Sequence, residues 1–442
     1  MTRTIKSVAV LGSGTMGAGI AAHCASRGYD VLLADLKARE GGANAVSEKA
    51  RAAMREGRAP MIEDDAAFAR IDVGNFEDDL ERVGQCDLIV EVIIEDLAIK
   101  RDLFTRLAAV RKDDAIVTSN TSGIQLASIL ADMPEGLRRN AAITHFFNPV
   151  KVMKLVELVP GEDTEPEVMA TLVDFLGDGL AKGVVYGKDT VNFIANRIGC
   201  FWILAGLNEA ADAFAQGVSI EDIDAAMSAP VGVPSTGLFG LVDLVGMDVM
   251  KLVSLNMKAN LPASDRGVAY AQFPGPVERM YERGQIGRKA GQGFYKQTKT
   301  EDGTRLRHVF DLESEDWRSA QEPNLPEGCE TLEGLLFSDS PVGRYAWKVM
   351  GATLLYAAEL TGEIADDIVN EDRAMEWGFA WKQGPFKMLD RLGASRVIAR
   401  LEAEGQPLPK MLQVLKDAGA ESFYRNDGSE FLGLDGAGHP VP

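Results

Sequence analysis

Cysteine is scarce. There are four in 442 residues, at Cys24, Cys86, Cys200 and Cys329. No two have the spacing of a zinc site or a redox motif, and a long chain with so few does not depend on a disulfide framework. No metal centre is expected. Long apolar runs are also missing: none reaches the roughly 20 residues that span a bilayer, so membrane insertion is not expected. Positive charge is in deficit, with 46 Lys and Arg against 66 Asp and Glu, a formal net charge of -20. Nucleic acid demands a basic surface, so it is excluded as a partner. Small anions are not excluded, because helix ends and a few local cations can hold them. The opening stretch MTRTIKSVAVLG carries no signal-peptide pattern and runs directly into a strand, which predicts a cytoplasmic location.

What is present is an ordinary globular composition, 46% hydrophobic and 25% charged, in a chain long enough for two or three domains. Apolar runs predict strands at Ile5–Leu11, Asp30–Ala34, Leu88–Ile94, Ala115–Ser119, Ala141–Phe147 and Lys154–Val159. Helices are predicted at Thr15–Arg27, Glu40–Arg58, Leu97–Val110 and Pro166–Leu180. This alternation implies a mainly parallel sheet with helices on its faces. After Lys188 the character turns helical, over Asn192–Gly217 and Ser219–Ser228, with few strand signals until GQGFY at Gly291–Tyr295. Thr298–Pro326 is charged and contains proline, and helical periodicity resumes at Val342.

The later part contains a repeat. GLFGLVDLVG at Gly237–Gly246 matches GPFKMLDRLG at Gly384–Gly393, and each follows a helix, an acidic loop and a second helix. A duplicated helical unit is therefore expected. The expected domains are 1–188 for the α/β part, 189–297 for a first helical domain, 298–341 for a linker and 342–442 for a second helical repeat.

GSGTMG at Gly12–Gly17 follows a strand and opens a helix, the setting in which G-x-G-x-x-G binds a dinucleotide. Gly12 permits the tight turn, Gly14 lets a pyrophosphate approach the backbone, and Gly17 lets helix and strand pack closely. Thr15 and Met16 lie between the second and third glycines, where the helix start offers unpaired N–H donors. A Rossmann-like domain is expected. Asp35 ends the second strand, where a carboxylate can accept both ribose hydroxyls and would repel the extra phosphate of NADP, so NAD is favoured. Lys37 and Arg39 nearby keep NADP open.

His145 is one of only four histidines and ends the apolar strand AAITHFF. Glu157 sits inside Leu155–Val159, where an unpaired carboxylate would be costly. The two lie on neighbouring strand segments joined by a short turn. A pairing would fix the imidazole tautomer and stabilise its charged form, as a general base requires. The competing partners of Glu157 are Lys151 and Lys154. A nicotinamide site beside a His–Glu pair describes dehydrogenation of an alcohol.

Together these stretches resemble the L-3-hydroxyacyl-CoA dehydrogenase family. VAVLGSGTMGAGIA, VEVIIEDLAIK, SNTSGIQLASI, THFFNPVKVMKLVELV, KDTVNFIANRIG and RKAGQGFYK run in family order from about residue 5 to residue 297. LLYAAELTGEIADDIV and AMEWGFAWKQGPFKMLD resemble the second helical copy of the long, two-repeat members, such as the dehydrogenase part of bifunctional dehydrogenase/enoyl-CoA hydratase proteins. The chain ends GLDGAGHPVP, roughly where such a hydratase module would begin.

The resemblance implies His145 as catalytic base and Glu157 as its orienting partner. It implies that Ser122 and Asn148 hold the substrate oxygen, and that Asn196 closes the site from the helical domain. Asp35, Glu95, Lys100, Asn120 and Lys289 are implied as further NAD contacts. Acyl-CoA is the implied substrate, in fatty-acid β-oxidation. Short family members pair through their helical domains. This chain is therefore expected to be a monomer with an internal pseudo-dimer, or a homodimer.

Two departures stand out. GVPSTGLFG has Leu238 where the family more often has proline, and SNTSGI replaces the commoner double serine. Arg51, Arg55 and Arg58 are candidates for the CoA contacts by charge. A free 3-hydroxy acid or sugar acid as substrate, and a non-catalytic NAD-binding protein, are the alternative readings.

Overall fold

The computed structural model describes residues 2–442, which divide into two compact units, up to Phe193 and from Ile194 onward. The first holds an eight-stranded sheet: β1 (Ser7–Leu11), β2 (Asp30–Asp35), β3 (Ile71–Asn75), β4 (Leu88–Glu91), β5 (Ile116–Ser119), β6 (Ala141–Phe146), β7 (Leu155–Pro160) and β8 (Gly183–Tyr186). The order is β3-β2-β1-β4-β5-β6-β7-β8, parallel except at β6–β7. Val8 to Leu11 are wholly buried, as expected of a central parallel strand covered on both faces. Helices on the two sides bury separate cores, one around Val10, Ile20 and Leu172, the other around Ile89, Phe104 and Ile129.

β3 and β8 are the strands that the sequence pattern did not predict, and they are the two edges of the sheet. IDVGN carries Asp and Gly, and GVVY has only four residues. Edge strands with so little apolar patterning are recruited by their neighbour's unpaired backbone groups. The helix expected over Glu40–Arg58 is confined to Ala45–Ala53, where only Ser47 is fully buried. With so small a buried face, the flanking residues gain nothing from helix formation. The helix from Pro166 is α-helical to Asp174 and continues as a π-turn over Phe175–Gly179.

The first unit runs past the expected boundary at 188, because the residues that follow are committed to it. Asp189 accepts from the backbone of Leu126 and Ala127, and Phe193 is buried in the core beneath the sheet.

The second unit contains both helical copies. Residues 298–341, expected as a linker, are ordered. β9 (Tyr295–Lys299), β10 (Arg305–Asp311) and β11 (Asp316–Ser319) form an antiparallel sheet, and helices follow at Leu332–Leu336 and Pro341–Ala346. Val309 and Phe310 are buried, so this excursion is anchored by its own apolar residues.

The repeat extends to side-chain detail. In the first copy Asp224 accepts from Phe239 N and Gly240 N, and Asp243 from Phe294 N and Tyr295 N. In the second copy Asp372 accepts from Phe386 N and Lys387 N, and Asp390 from Phe423 N and Tyr424 N. Phe239 packs edge-on against Phe294 at 4.7 Å, as Phe386 does against Phe423 at 5.0 Å. Each copy ends in a three-stranded sheet, the second formed by Tyr424–Arg425, Glu430–Leu432 and Gly438–Pro440.

The second copy packs on the first. The long helix Ala195–Phe214 meets it through Tyr345 Oη to the Gly206 carbonyl at 2.9 Å, Phe201 stacked on Tyr356, and Trp202 edge-on to Trp381. Arg197, 1% exposed, donates to Tyr356 Oη and pairs with Asp265 and Glu363. Among the described residues no helix is long and apolar enough to cross a membrane.

Candidate active site

The antiparallel register of β6 and β7 sets His145 directly opposite Glu157. Directly opposed residues lie within side-chain reach, so register alone delivers the contact. Nδ1 of His145 stands 2.6 Å from Oε2 of Glu157, with the two residues 4% and 0% exposed. A carboxylate offers only acceptors, so Nδ1–H donates and Nε2 is left as the basic position. The rings of Phe147 and Phe193 flank the imidazole at 4.6 and 5.7 Å. Lys151, a competing partner on sequence grounds, pairs instead with Glu63.

The ends of β4 and β5 and the helix Leu97–Val110 hold a buried charged network. Glu91, wholly buried at the end of β4, accepts from Ile93 N, Ser119 Oγ and Lys100 Nζ, the last at 2.7 Å. Lys100 is only 1% exposed and also reaches Glu95 at 3.3 Å. Burial of an ammonium is tolerable only with such partners. Glu95 in turn accepts from Thr121 Oγ1, Ser122 N and Gly123 N, so it holds the SNTS loop. Asn120 Oδ1 accepts from Phe146 N at 2.9 Å, tying that loop to the strand of His145. Ser122 and Asn148 are exposed at the ends of β5 and β6.

Two further supports are non-local. The short helix after SNTS starts at Leu126, and Asp189 caps it, 63 and 62 residues away, by bonds of 2.7 and 2.8 Å. Burial raises the pKa of Asp189 against those two donors. Lys182, 8% exposed, donates to the carbonyls of Val150 and Met153 and so holds the turn between β6 and β7. Burial pushes its pKa down to about 8. An acid just after a basic residue, and a lone lysine between alanine and glycine, gave no local signal for either role.

The glycine turn fits a dinucleotide. Gly12 has φ +109°, and a Cβ there would lie 2.5 Å from the Val92 carbonyl oxygen. A Cβ on Gly17 would lie 1.8 Å from the Gly12 carbonyl oxygen, so helix Thr15–Ser26 can pack only with glycine at that position. Around Gly14 a Cβ would meet nothing within 4 Å, and no side chain caps the helix start, which leaves the cradle open. Thr15 is exposed in the first turn, followed by a half-buried Met16. Asp35 at the end of β2 accepts from Ser13 N and Oγ and from Leu36 N, which fixes its carboxylate beside the turn. Lys37 is paired with Asp78 at 2.8 Å, so it is already neutralised as a partner for a 2′-phosphate.

Asn196 and Lys289 belong to the second unit. Asn196 lies in the first turn of Ala195–Phe214, half-buried, and Lys289 pairs with Asp248 at 2.6 Å. In the first unit, Arg51 and Arg55 stack on Phe68 at 4.2 and 4.0 Å, Arg55 also meets Asp65, and Arg58 is exposed.

Residues 7–190 match the 3-hydroxyacyl-CoA dehydrogenase NAD binding domain, and residues 193–297 match the C-terminal domain of the same family. A probable 3-hydroxyacyl-CoA dehydrogenase of Bacillus subtilis is 34% identical over 98% of this chain, which spans 56% of that protein's length. The human mitochondrial hydroxyacyl-coenzyme A dehydrogenase is 35% identical over 66% of this chain and 91% of its own. The fold is shared with 3-hydroxybutyryl-CoA dehydrogenase from Escherichia coli at a TM-score of 0.70 and 24% identity, covering 93% of this chain and 98% of that one. The first unit is thus an NAD-binding domain. The chain belongs to the 3-hydroxyacyl-CoA dehydrogenase family.

Proposed function

We propose that the protein oxidises an L-3-hydroxyacyl-CoA to the 3-ketoacyl-CoA, as a step of fatty-acid β-oxidation, with His145 as general base. The observation that carries this reading is the buried 2.6 Å pair of His145 and Glu157 inside an NAD-binding domain. NAD, when bound, supplies the hydride acceptor. Nε2 of His145 takes the proton of the C3 hydroxyl, and in the reverse direction returns it. Glu157 holds the tautomer and stabilises the imidazolium that forms. Ser122 and Asn148, exposed at the ends of the strands that flank and carry His145, would orient the substrate oxygen, where orientation contributes several kcal/mol.

The names of relatives support the substrate class, since they include 3-hydroxyacyl-CoA dehydrogenases and, at 36% identity, a putative fatty acid oxidation complex trifunctional enzyme. The deciding experiment follows NADH consumption with acetoacetyl-CoA and, separately, with free acetoacetate. Turnover of the thioester alone is expected. Equal turnover of the free acid would replace the CoA reading with oxidation of a free 3-hydroxy acid, and no turnover of either would remove the catalytic assignment.

A further inference from the structure

The second unit carries a basic cleft in a strongly acidic chain. Two hollows of about 600 and 450 Å³ share Ser235, Thr236, Tyr295 and Arg307 on their walls and so form one two-lobed cavity. Arg288 and Lys296 add charge to the larger lobe and Arg305 to the smaller. Each lobe is within the range of a small-molecule site.

Three features distinguish this cleft from a solvated basic face. First, among the described residues its cations form no ion pair, although Arg288 and Arg307 face the charge of Asp243 and Lys296 lies 4.0 Å over the Trp317 ring. Neighbouring arginines are paired: Arg318 meets Glu221 by two bonds of 2.6 Å, and Arg279 and Arg283 share Glu315. Among the described residues no carboxylate lies within ion-pair distance of Arg288, Lys296, Arg305 or Arg307. The acids on the same walls are largely engaged. Asp224 and Asp243 accept from backbone N–H groups, Glu221 is taken by Arg318, and Glu322 is the one exposed acid.

Second, the cleft is preorganised. Tyr295 Oη donates to Asp224 at 2.6 Å, which fixes the ring, and the Arg307 guanidinium lies 4.0 Å over that ring. A guanidinium stacked this way keeps its N–H edge for a ligand. Third, Arg305 and Arg307 lie on β10, beyond residue 297, where the match to the family's C-terminal domain ends. The cleft therefore joins Ser235, Thr236 and Arg288 of the matched domain to two arginines from beyond it.

We propose that this cleft binds the phosphate groups of a nucleotide-sized anion, with Arg288, Arg305 and Arg307 as its cationic contacts and Ser235 and Thr236 as hydroxyl donors. Planar, bidentate recognition of phosphate is what arginine provides and a solvated lysine does not. Two sources share that chemistry: a free nucleoside diphosphate, and the phosphorylated adenosine end of a CoA thioester.

The test is calorimetric titration of the full chain with inorganic pyrophosphate, ADP and CoA, repeated on the Arg305→Ala/Arg307→Ala double variant and on Arg288→Ala. At least one probe is expected to bind the parent, and to bind the double variant about tenfold or more weakly, with NAD affinity unchanged. The substituted side chains are exposed, so the melting temperature should hold. If ADP loses more affinity than CoA in the double variant, the source is a free nucleotide; the reverse order assigns the thioester. The proposal is overturned if none of the three probes binds, or if the double variant binds each as tightly as the parent. ADP and CoA can also enter the dinucleotide crevice, so the loss on substitution, not binding alone, is the criterion. These readouts are independent of turnover and stand whether or not acetoacetyl-CoA is reduced.

Discussion

A histidine and a glutamate twelve positions apart become partners because β6 and β7 are antiparallel and in one particular register. A slip of one residue would send each side chain to the opposite face of the sheet. His145→Gln keeps the shape but removes the base. Turnover should fall by about 10²–10⁴-fold, the usual contribution of a general base, while NAD binding persists. Steady-state kinetics beside NAD titration checks this, and near-parental turnover would remove His145 from the mechanism. Glu157→Gln replaces a buried acceptor by an amide that cannot stabilise an imidazolium. The rate should drop, by up to about 10⁴-fold if the pair works as the same orienting acid does in a protease triad. A rate and melting temperature equal to the parent's would show that Glu157 does not have this role.

At the scale of elements, the ends of β4 and β5 and the helix Leu97–Val110 are joined by buried charge rather than by apolar packing alone. Lys100 sits between Glu91 and Glu95, and Glu95 grips the SNTS loop. Lys100→Met would strand the wholly buried carboxylate of Glu91, at a cost of about 3–5 kcal/mol. Urea denaturation should show that loss, and Lys100→Met/Glu91→Gln should recover much of it. If the double variant is no more stable than the single one, the network is not the source of the loss. The helical copies are joined differently, by close approach. A Cβ on Gly199 would lie 2.2 Å from the ring of Phe379, so Gly199→Val forces the second copy away from the first. Overpacking of this kind costs about 1–3 kcal/mol, readable as a lowered melting temperature. An unchanged Tm would mean that the two copies are not held by this contact.

On the scale of the whole molecule, duplication has doubled an unusual electrostatic feature. Burial raises Asp224 and Asp372 to about 7, and Asp243 and Asp390 to about 6, in each case against the hydrogen bonds that favour the charged form. The ordinary value is 3.8, so folding raises all four. Their protonated forms stabilise the fold fully below about pH 4, and that stabilisation is lost as pH rises through 6 to 7. The parent should therefore lose more stability between pH 5.5 and pH 8 than an Asp224→Asn/Asp372→Asn variant does. Urea midpoints at the two values measure the difference, and parallel losses would show that these carboxyls do not titrate on folding.

Much of this was legible in the residues. The glycine turn, Asp35, the helix Leu97–Val110 and the facing of His145 and Glu157 rest on local pattern, and local pattern is written in consecutive residues. The repeat was visible because GLFGLVDLVG and GPFKMLDRLG share one amphipathic spacing. Other features were decided only by tertiary structure. β3 and β8 form because a neighbouring edge recruits them, and Asp189 caps a helix 62 to 63 residues earlier in the chain. Lys100, implied by the resemblance as an NAD contact, is buried because two carboxylates meet it there. Arg305 and Arg307 of the cleft lie in a segment whose composition predicted a linker, yet Val309 and Phe310 fold it into a sheet. Sequence by itself determined the central strands, the helices that cover them and the glycine turn, because backbone preference and apolar period act over a few residues. Only the folded chain decided which charges were paired, which were buried and which were left facing a cavity, because a partner distant along the chain sets the energy of each.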